Sequence, residues 1–189
     1  MKDYLELFKQ IGMIKEGHFE LTSGLHSARY FEKFRLLEHP NIATLICQEI
    51  AENFKTQELE IIAGPTTGGI IIAYEVARYL NKRCIFAEKT TDGREFKRGF
   101  EIRLKEKILV VDDVFTTGGS VMQTIEAIKK RNGTIIGVAV IIDRSEMKID
   151  FGVPFFAIYS EKVANWYPAD CPLCKQGIPL HKPGGSKIT

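Results

Sequence analysis

The stretch that decides the fold is Ile108-Leu109-Val110-Val111-Asp112-Asp113-Val114-Phe115-Thr116-Thr117-Gly118-Gly119-Ser120. Its first four residues are apolar without alternation, as in a strand covered on both faces. Two adjacent carboxylates follow, then a loop of small residues. A helix is expected next, over Ser120 to Arg131, with Val121, Ile125 and Ile128 along one side. Lys129, Lys130 and Arg131 suit the negative end of that helix, and Asn132-Gly133 supplies a stop. Such a junction brings backbone N–H groups, hydroxyls and a positive helix end to one point, which suits a phosphate dianion. The glycines let the backbone come close to the oxygens. Asp112 and Asp113 are repelled by a phosphate, so their role is to accept hydrogen bonds from ribose hydroxyls or a metal-bound water. A phosphate cradle beside two hydroxyl acceptors describes a sugar phosphate site. The plainer alternative is a helix after a strand with two solvated acids, and thirteen residues in this order argue against it.

The same texture recurs on both sides. Ile61-Ile62-Ala63 stops at Gly64-Pro65-Thr66-Thr67-Gly68-Gly69 and leads into a helical stretch from Ile70 to Leu80. Arg83 to Ala87 is strand-like, and Thr134 to Ile142 is a further apolar run with Gly137 inside it. Apolar strands separated by helices predict an α/β core from about Glu60 to Tyr159, a mostly parallel sheet with right-handed crossovers and helices on both faces. Ligands of such sheets sit beyond the carboxyl ends of the strands. Before the core, Tyr4, Phe8 and Ile11 share the face of a short helix, and Pro40-Asn41 opens a second with Ile42, Ile46, Ile50 and Phe54 as its stripe. After it, Pro168, Pro172, Pro179 and Pro183 with Gly177, Gly184 and Gly185 predict an extended or looped tail instead of a helix. The expected organisation is a single domain, 1–189, with an N-terminal segment 1–40, the core 60–159 and the tail 160–189.

Charge narrows the function classes. Lys and Arg number 26 against 24 Asp and Glu, a balance of +2 that gives nucleic-acid binding little support. The first residues carry acids early, and the richest apolar run, Ile70 to Tyr74, is far short of a membrane span. The expectation is a cytoplasmic chain with reduced thiols and no nucleic-acid or membrane partner. Cys171-Pro172-Leu173-Cys174 with His181 offers three metal ligands at best, and neither Cys47 nor Cys84 is an obvious fourth. No metal site is therefore assigned, and a reduced turn or a labile disulfide remains open there. His18, His26 and His39 read most simply as surface or N-terminal-segment residues without an acid–base role.

Two further segments belong to the same strand ends. Gly64 to Gly69, with Thr66, Thr67 and Gly68, reads as a second anion loop, the alternative being a plain strand-to-helix turn. Glu88 to Phe100 holds Lys89, Arg94, Lys97 and Arg98, and Asp92-Gly93 suggests a hairpin tip. By itself it is equally a solvated surface hairpin.

The thirteen-residue stretch resembles the signature of type I phosphoribosyltransferases, which act on 5-phosphoribosyl 1-diphosphate. The resemblance implies that Asp112 and Asp113 hold the ribose hydroxyls, while Val114, Phe115, Thr116, Thr117, Gly118, Gly119 and Ser120 surround the 5-phosphate. It places the diphosphate at Thr66, Thr67 and Gly68, where some members carry a lysine at the position of Gly68. It makes 88–100 a lid that closes over the diphosphate and, in a homodimer, reaches the neighbouring active site, with Lys89, Lys97 and Arg98 as candidate catalytic cations. The usual lid histidine has no counterpart here. Phe19 to Phe31 is similar to the N-terminal hood of orotate phosphoribosyltransferases, which implies Ser23, Tyr30 and Phe31 near the base. Arg144 in Asp143-Arg144-Ser145 matches an arginine that contacts orotate in that family, with Thr116 nearby; local sequence equally permits a salt bridge to Asp143 or Glu146. The implied cofactor is Mg2+, bound mainly through the substrate's diphosphate and ribose hydroxyls. Rival readings are a purine or uracil phosphoribosyltransferase, and a non-catalytic RNA-binding regulator on the same fold.

Overall fold

In chain order the elements are α1 (Tyr4–Gln10), β1 (Ile14–Glu20), β2 (His26–Phe31), a 3-10 turn (Lys33–Glu38), α2 (Pro40–Phe54), β3 (Ile61–Pro65), α3 (Gly68–Leu80), β4 (Arg83–Thr90), β5 (Gly93–Glu95), β6 (Lys107–Phe115), α4 (Gly119–Lys129), β7 (Thr134–Asp143), β8 (Phe155–Ser160), β9 (Asn165–Trp166) and α5 (Pro172–Lys175). The structure is a computed structural model that describes residues 3–146 and 149–183. Gly184 and Gly185 of the expected tail lie outside the described residues. The chain groups into two compact units, His39–Glu161 and a unit made of Met1–Glu38 with Lys162–Thr189.

The larger unit is an α/β sheet of order β5-β4-β3-β6-β7-β8, parallel throughout except for the β4–β5 hairpin. The parallel α/β core expected from the apolar runs is what forms. Every residue of β3 is buried, as are Ile108 to Val111 of β6, because helices cover both faces and leave no side for polar residues. Ile46, Ile50 and Phe54 of α2, Ile72, Ala73 and Val76 of α3, and Val121, Ile125 and Ile128 of α4 are the buried stripes. Gly137 has a packing reason: a Cβ on it would stand 2.4 Å from the Phe54 ring, so the absent side chain is the seat for that phenyl group. Asn81 ends α3 in the left-handed conformation, with its N–H returned to the helix carbonyls.

The smaller unit is a three-stranded antiparallel sheet, β1-β2-β9, beside α1. Its buried apolar side chains include Phe8, Ile11, Met13, Ile14, Phe19, Phe31 and Leu36, a short list for a unit of two chain ends. The tail is not wholly looped. Pro172 starts α5 at the position where its missing N–H costs nothing, and β9 joins the N-terminal hairpin. Further on, His181 pairs with Phe19, its carbonyl accepting Glu20 N–H at 2.9 Å and its N–H donating to His18 O at 2.8 Å. His18 and His26 are not surface residues; they are 1% and 5% exposed. Among the described residues no helix is long and apolar enough to cross a membrane.

Candidate active site

The sheet changes its direction of travel between β3 and β6. From β3 the chain goes to β4 on one side, and from β6 it goes to β7 on the other. Open α/β sheets bind ligands at such a switch point. The β3–β6 pairing runs only to Ala63↔Val110, whereas β6 stays beside β7 as far as Phe115↔Asp143. β3 continues to Pro65 beside β4 without pairing further to β6, so beyond Val110 β3 and β6 part, and β6 carries Asp112 and Asp113 into the gap. Both acids are nearly buried, at 6% and 5% exposure. Asp112 Oδ1 accepts Asp113 N–H at 2.8 Å, and Asp113 Oδ1 accepts Val114 N–H at 2.6 Å. Each acid thus satisfies the N–H of the residue that follows it.

Gly68 and Gly69 close the other side of the gap. A Cβ on Gly68 would lie 1.8 Å from Asp113 Oδ2, and one on Gly69 would lie 2.7 Å from Pro65 Cδ and 3.0 Å from Asp112 Oδ1. A side chain at position 68 requires the Asp113 carboxylate to shift. After β6, Gly118 turns the chain with φ 77°, and a Cβ on it would meet Phe115 Cζ at 2.6 Å. Phe115 is itself held by the Phe151 and Phe155 rings at 5.6 and 5.5 Å. No described side chain caps α4, which leaves its first-turn N–H groups for a ligand. Thr116 to Val121 line a pocket of about 300 Å³ whose other walls include Lys89, Arg94, Asp112 and Gln123.

Arg94 joins the two loops. Its Nη1 donates to Thr66 Oγ1 and to Ala87 O, both at 3.1 Å, and its Nη2 donates to Ser120 Oγ at 3.1 Å. Burial pulls its guanidinium below the usual arginine range, while the Asp112 carboxylate opposes that shift. An arginine stays charged under such pressure, so a fixed cation stands between the Thr66 and Ser120 loops.

A family profile described as the phosphoribosyl transferase domain matches residues 35–151. The orotate phosphoribosyltransferase of Caldanaerobacter subterraneus subsp. tengcongensis is 46% identical over 184 residues, covering 97% of each chain. That of Thermotoga maritima is 45% identical over 179 residues, covering 95% of this chain and 96% of its own. The crystal structure of orotate phosphoribosyltransferase from Aeropyrum pernix superposes with a TM-score of 0.71 at 24% identity, over 82% of this chain and 92% of that one. The chain belongs to the orotate phosphoribosyltransferase family.

Asp112 and the loop Thr116–Ser120 line one pocket, Asp113 Oδ2 lies against Gly68, and Thr66 is joined to Ser120 through Arg94. The basic residues of 88–100 divide. Lys89 and Arg94 are cross-strand partners, lie on the same face of the hairpin, and line the pocket. Lys97 is exposed, and Arg98 is 65% exposed and pairs with Glu88 at 2.8 Å; neither lines the pocket. Arg94 and Gln123 were not singled out as site residues from the sequence. The signal for Arg94 was the hairpin register. Thr90 pairs with Gly93, so the tip is Thr91-Asp92, one residue before the expected Asp92-Gly93, and this sets Arg94 opposite Lys89.

Arg144 follows β7, and its N–H donates to Phe115 O at 2.8 Å, which holds it beside Thr116. Burial lowers its guanidinium from the usual range, and the opposing charge is that of Glu161. Asp143, one expected partner, accepts Ser145 N–H at 2.8 Å. In the smaller unit, Ser23 is exposed in the β1–β2 turn, Tyr30 packs on Phe19 with ring centroids 5.7 Å apart, and Phe31 is 9% exposed within the core. Phe31 is thus a core residue, and Ser23 and Tyr30 keep surface for a ligand. The donors in the pocket are hard oxygens of Asp112, Thr116 and Thr117, a set that fits Mg2+ shared with a diphosphate better than a thiophilic metal.

Proposed function

We propose that the chain transfers ribose 5-phosphate from 5-phosphoribosyl 1-diphosphate to orotate. The products are orotidine 5′-phosphate and diphosphate, in pyrimidine nucleotide synthesis toward UMP. The observation that carries this reading is the pocket at the start of α4, with Asp112 on one wall and the Arg94 bridge on another. The α4 N-terminus and Thr116 to Ser120 hold the 5-phosphate, and Asp112 and Asp113 orient the ribose hydroxyls. Thr66 to Gly68 form the diphosphate loop, in which Thr67 and Gly68 present backbone N–H groups while Thr66 N–H donates to Ala87 O. Arg94 and Lys89 balance the negative charge that grows on the diphosphate as it departs. Arg144 offers two parallel donors to the orotate carboxylate, with Thr116 beside it. Mg2+, when bound with the substrate, would be held beside Asp112, Thr116 and Thr117 and would supply neutralisation of the diphosphate charge. No covalent nucleophile is needed, and rate comes from positioning and charge stabilisation.

The working form in this proposal is a cytoplasmic homodimer, consistent with four free cysteines in the described residues. Lys97 and Arg98, which are exposed and do not line the chain's own pocket, serve the neighbouring active site when the 88–100 hairpin closes as a lid. The test is product formation from the activated sugar with orotate, uracil, adenine, guanine or hypoxanthine, with Mg2+ present or withheld. Orotidine 5′-phosphate formed with Mg2+ and orotate alone is the expected result. Transfer to another base in preference to orotate overturns it.

A further inference from the structure

We propose a structural zinc site in the smaller unit, with His18 and His26 from the N-terminal hairpin and Cys171 and Cys174 from the tail as its four ligands. Their donor atoms all lie within 4.8 Å of one another. His18 Nε2 is 3.0 Å from His26 Nδ1, 3.5 Å from Cys171 Sγ and 3.7 Å from Cys174 Sγ, while Cys174 Sγ is 3.3 Å from His26 Nδ1. A tetrahedral zinc ion with two nitrogens and two sulfurs requires edges of about 3.3 Å between nitrogens and about 3.6 Å between nitrogen and sulfur. The three nitrogen–sulfur separations straddle the second value, and the nitrogen–nitrogen separation lies a little below the first.

Hydrogen bonding does not account for the convergence. The Ile178 carbonyl, 2.8 Å from His18 Nδ1, can only accept, so Nδ1 carries the hydrogen and a neutral ring presents a bare lone pair at Nε2. One lone pair then faces three neighbours at once, an arrangement a cation satisfies and a single hydrogen bond does not. The Ile178 contact is also the outer-shell bond that orients a metal-bound imidazole. Three of the four ligands are buried, and Cys171 and Cys174 share the first turn of α5, the spacing common in closed zinc sites. Two soft sulfurs with two imidazoles select zinc over Mg2+.

The site also has a structural task. The unit has few buried apolar side chains, and small units of that kind commonly need a staple. These ligands tie residues near the N-terminus to residues more than a hundred positions later. His181, the third ligand that the tail sequence offers, pairs with Phe19 through its backbone and is outside the cluster.

The full-length chain, purified reduced and without chelators or metal-affinity resin, is expected to hold about one zinc per chain by elemental analysis, as a closed four-ligand site requires. Replacing the metal with cobalt should give the intense visible absorption of a four-coordinate thiolate–imidazole centre. Cys171→Ser with Cys174→Ser, and His18→Ala, should each remove most of the zinc, and His181→Ala should leave it. The proposal is overturned by a wild-type chain that contains no zinc and takes up neither zinc nor cobalt after reduction. A Cys171–Cys174 disulfide recovered in its place, or zinc content unchanged in the cysteine variant, overturns it equally. The cobalt spectrum of the wild type decides the matter even where a variant fails to fold.

Discussion

The two units reach order by different means. In His39–Glu161, a parallel sheet with helices on both faces buries long apolar runs, and polar chemistry is confined to the strand ends. In the smaller unit, a three-stranded antiparallel sheet buries few apolar side chains, and its centre contains two imidazoles and a thiol. The difference is in what a substitution removes. In the larger unit the core is a continuous packing problem, so single truncations are felt as cavities. In the smaller one a few directional contacts between chain ends replace volume, so polar changes dominate.

The most damaging test of that contrast is Phe54→Ala, which empties the seat formed by Gly137. The expected loss is about 3–5 kcal/mol of unfolding free energy, read from urea titration. A loss under about 1 kcal/mol shows instead that the site collapses freely, and the contrast between a packed and a stapled unit weakens.

How much of this was readable beforehand follows from where the information sits. The parallel core was legible because Ile61 to Ala63, Ile108 to Val111 and Thr134 to Ile142 are apolar on both faces, a pattern that antiparallel half-exposed strands do not produce. The phosphate loop was legible because glycine, hydroxyl and helix onset are consecutive. β8 was not named as a strand, though Phe155 to Tyr159 is an apolar run at the sheet edge. The β1-β2-β9 sheet was hidden because its strands come from opposite chain ends and β9 is two residues long. The His18–Cys171 proximity spans the whole chain, and no local pattern encodes it. Arg94 fell between these cases, since a one-residue shift in turn position changes which cation faces inward. Arg94→Ala is expected to lower kcat/KM for the activated sugar by about 10²–10³-fold with the fold intact by circular dichroism, the usual cost of one charge-stabilising donor. A fall below about tenfold would remove Arg94 from the set of groups that stabilise the departing diphosphate.

The division between inward and outward hairpin cations gives a smaller effect that tests dimer action. Mixed in equal amounts under exchange conditions, an Arg94→Ala chain and a Lys97→Ala/Arg98→Ala chain form hybrids in half of the dimers. Each hybrid has one site with both sets of cations, so activity should recover to about a quarter of wild type. No recovery, with hybrids verified by mass spectrometry, means that all these cations serve their own chain or that Lys97 and Arg98 serve none.

The gentlest effect concerns the cysteines, which the two units use in opposite ways. Cys47 on α2 is 1% exposed, and burial pushes its thiol up to about 12; burial likewise pushes Cys84 on β4 up to about 11. A thiol that stays protonated in the folded chain ionises in the unfolded one near the ordinary value of about 8.5. Above that pH the folded state binds more protons than the unfolded state, so stability is fully present below it and falls as pH rises toward the folded values. The slope is about 1.4 kcal/mol per pH unit for each such thiol. Cys47→Ala should therefore flatten the decline in unfolding free energy between pH 9 and pH 11, roughly the window between ordinary and buried thiol values, although it lowers stability at neutral pH by creating a small cavity. An alkaline slope unchanged in both Cys47→Ala and Cys84→Ala means that these thiols ionise without unfolding, and the α2 side of the core is then more open to solvent than its packing implies.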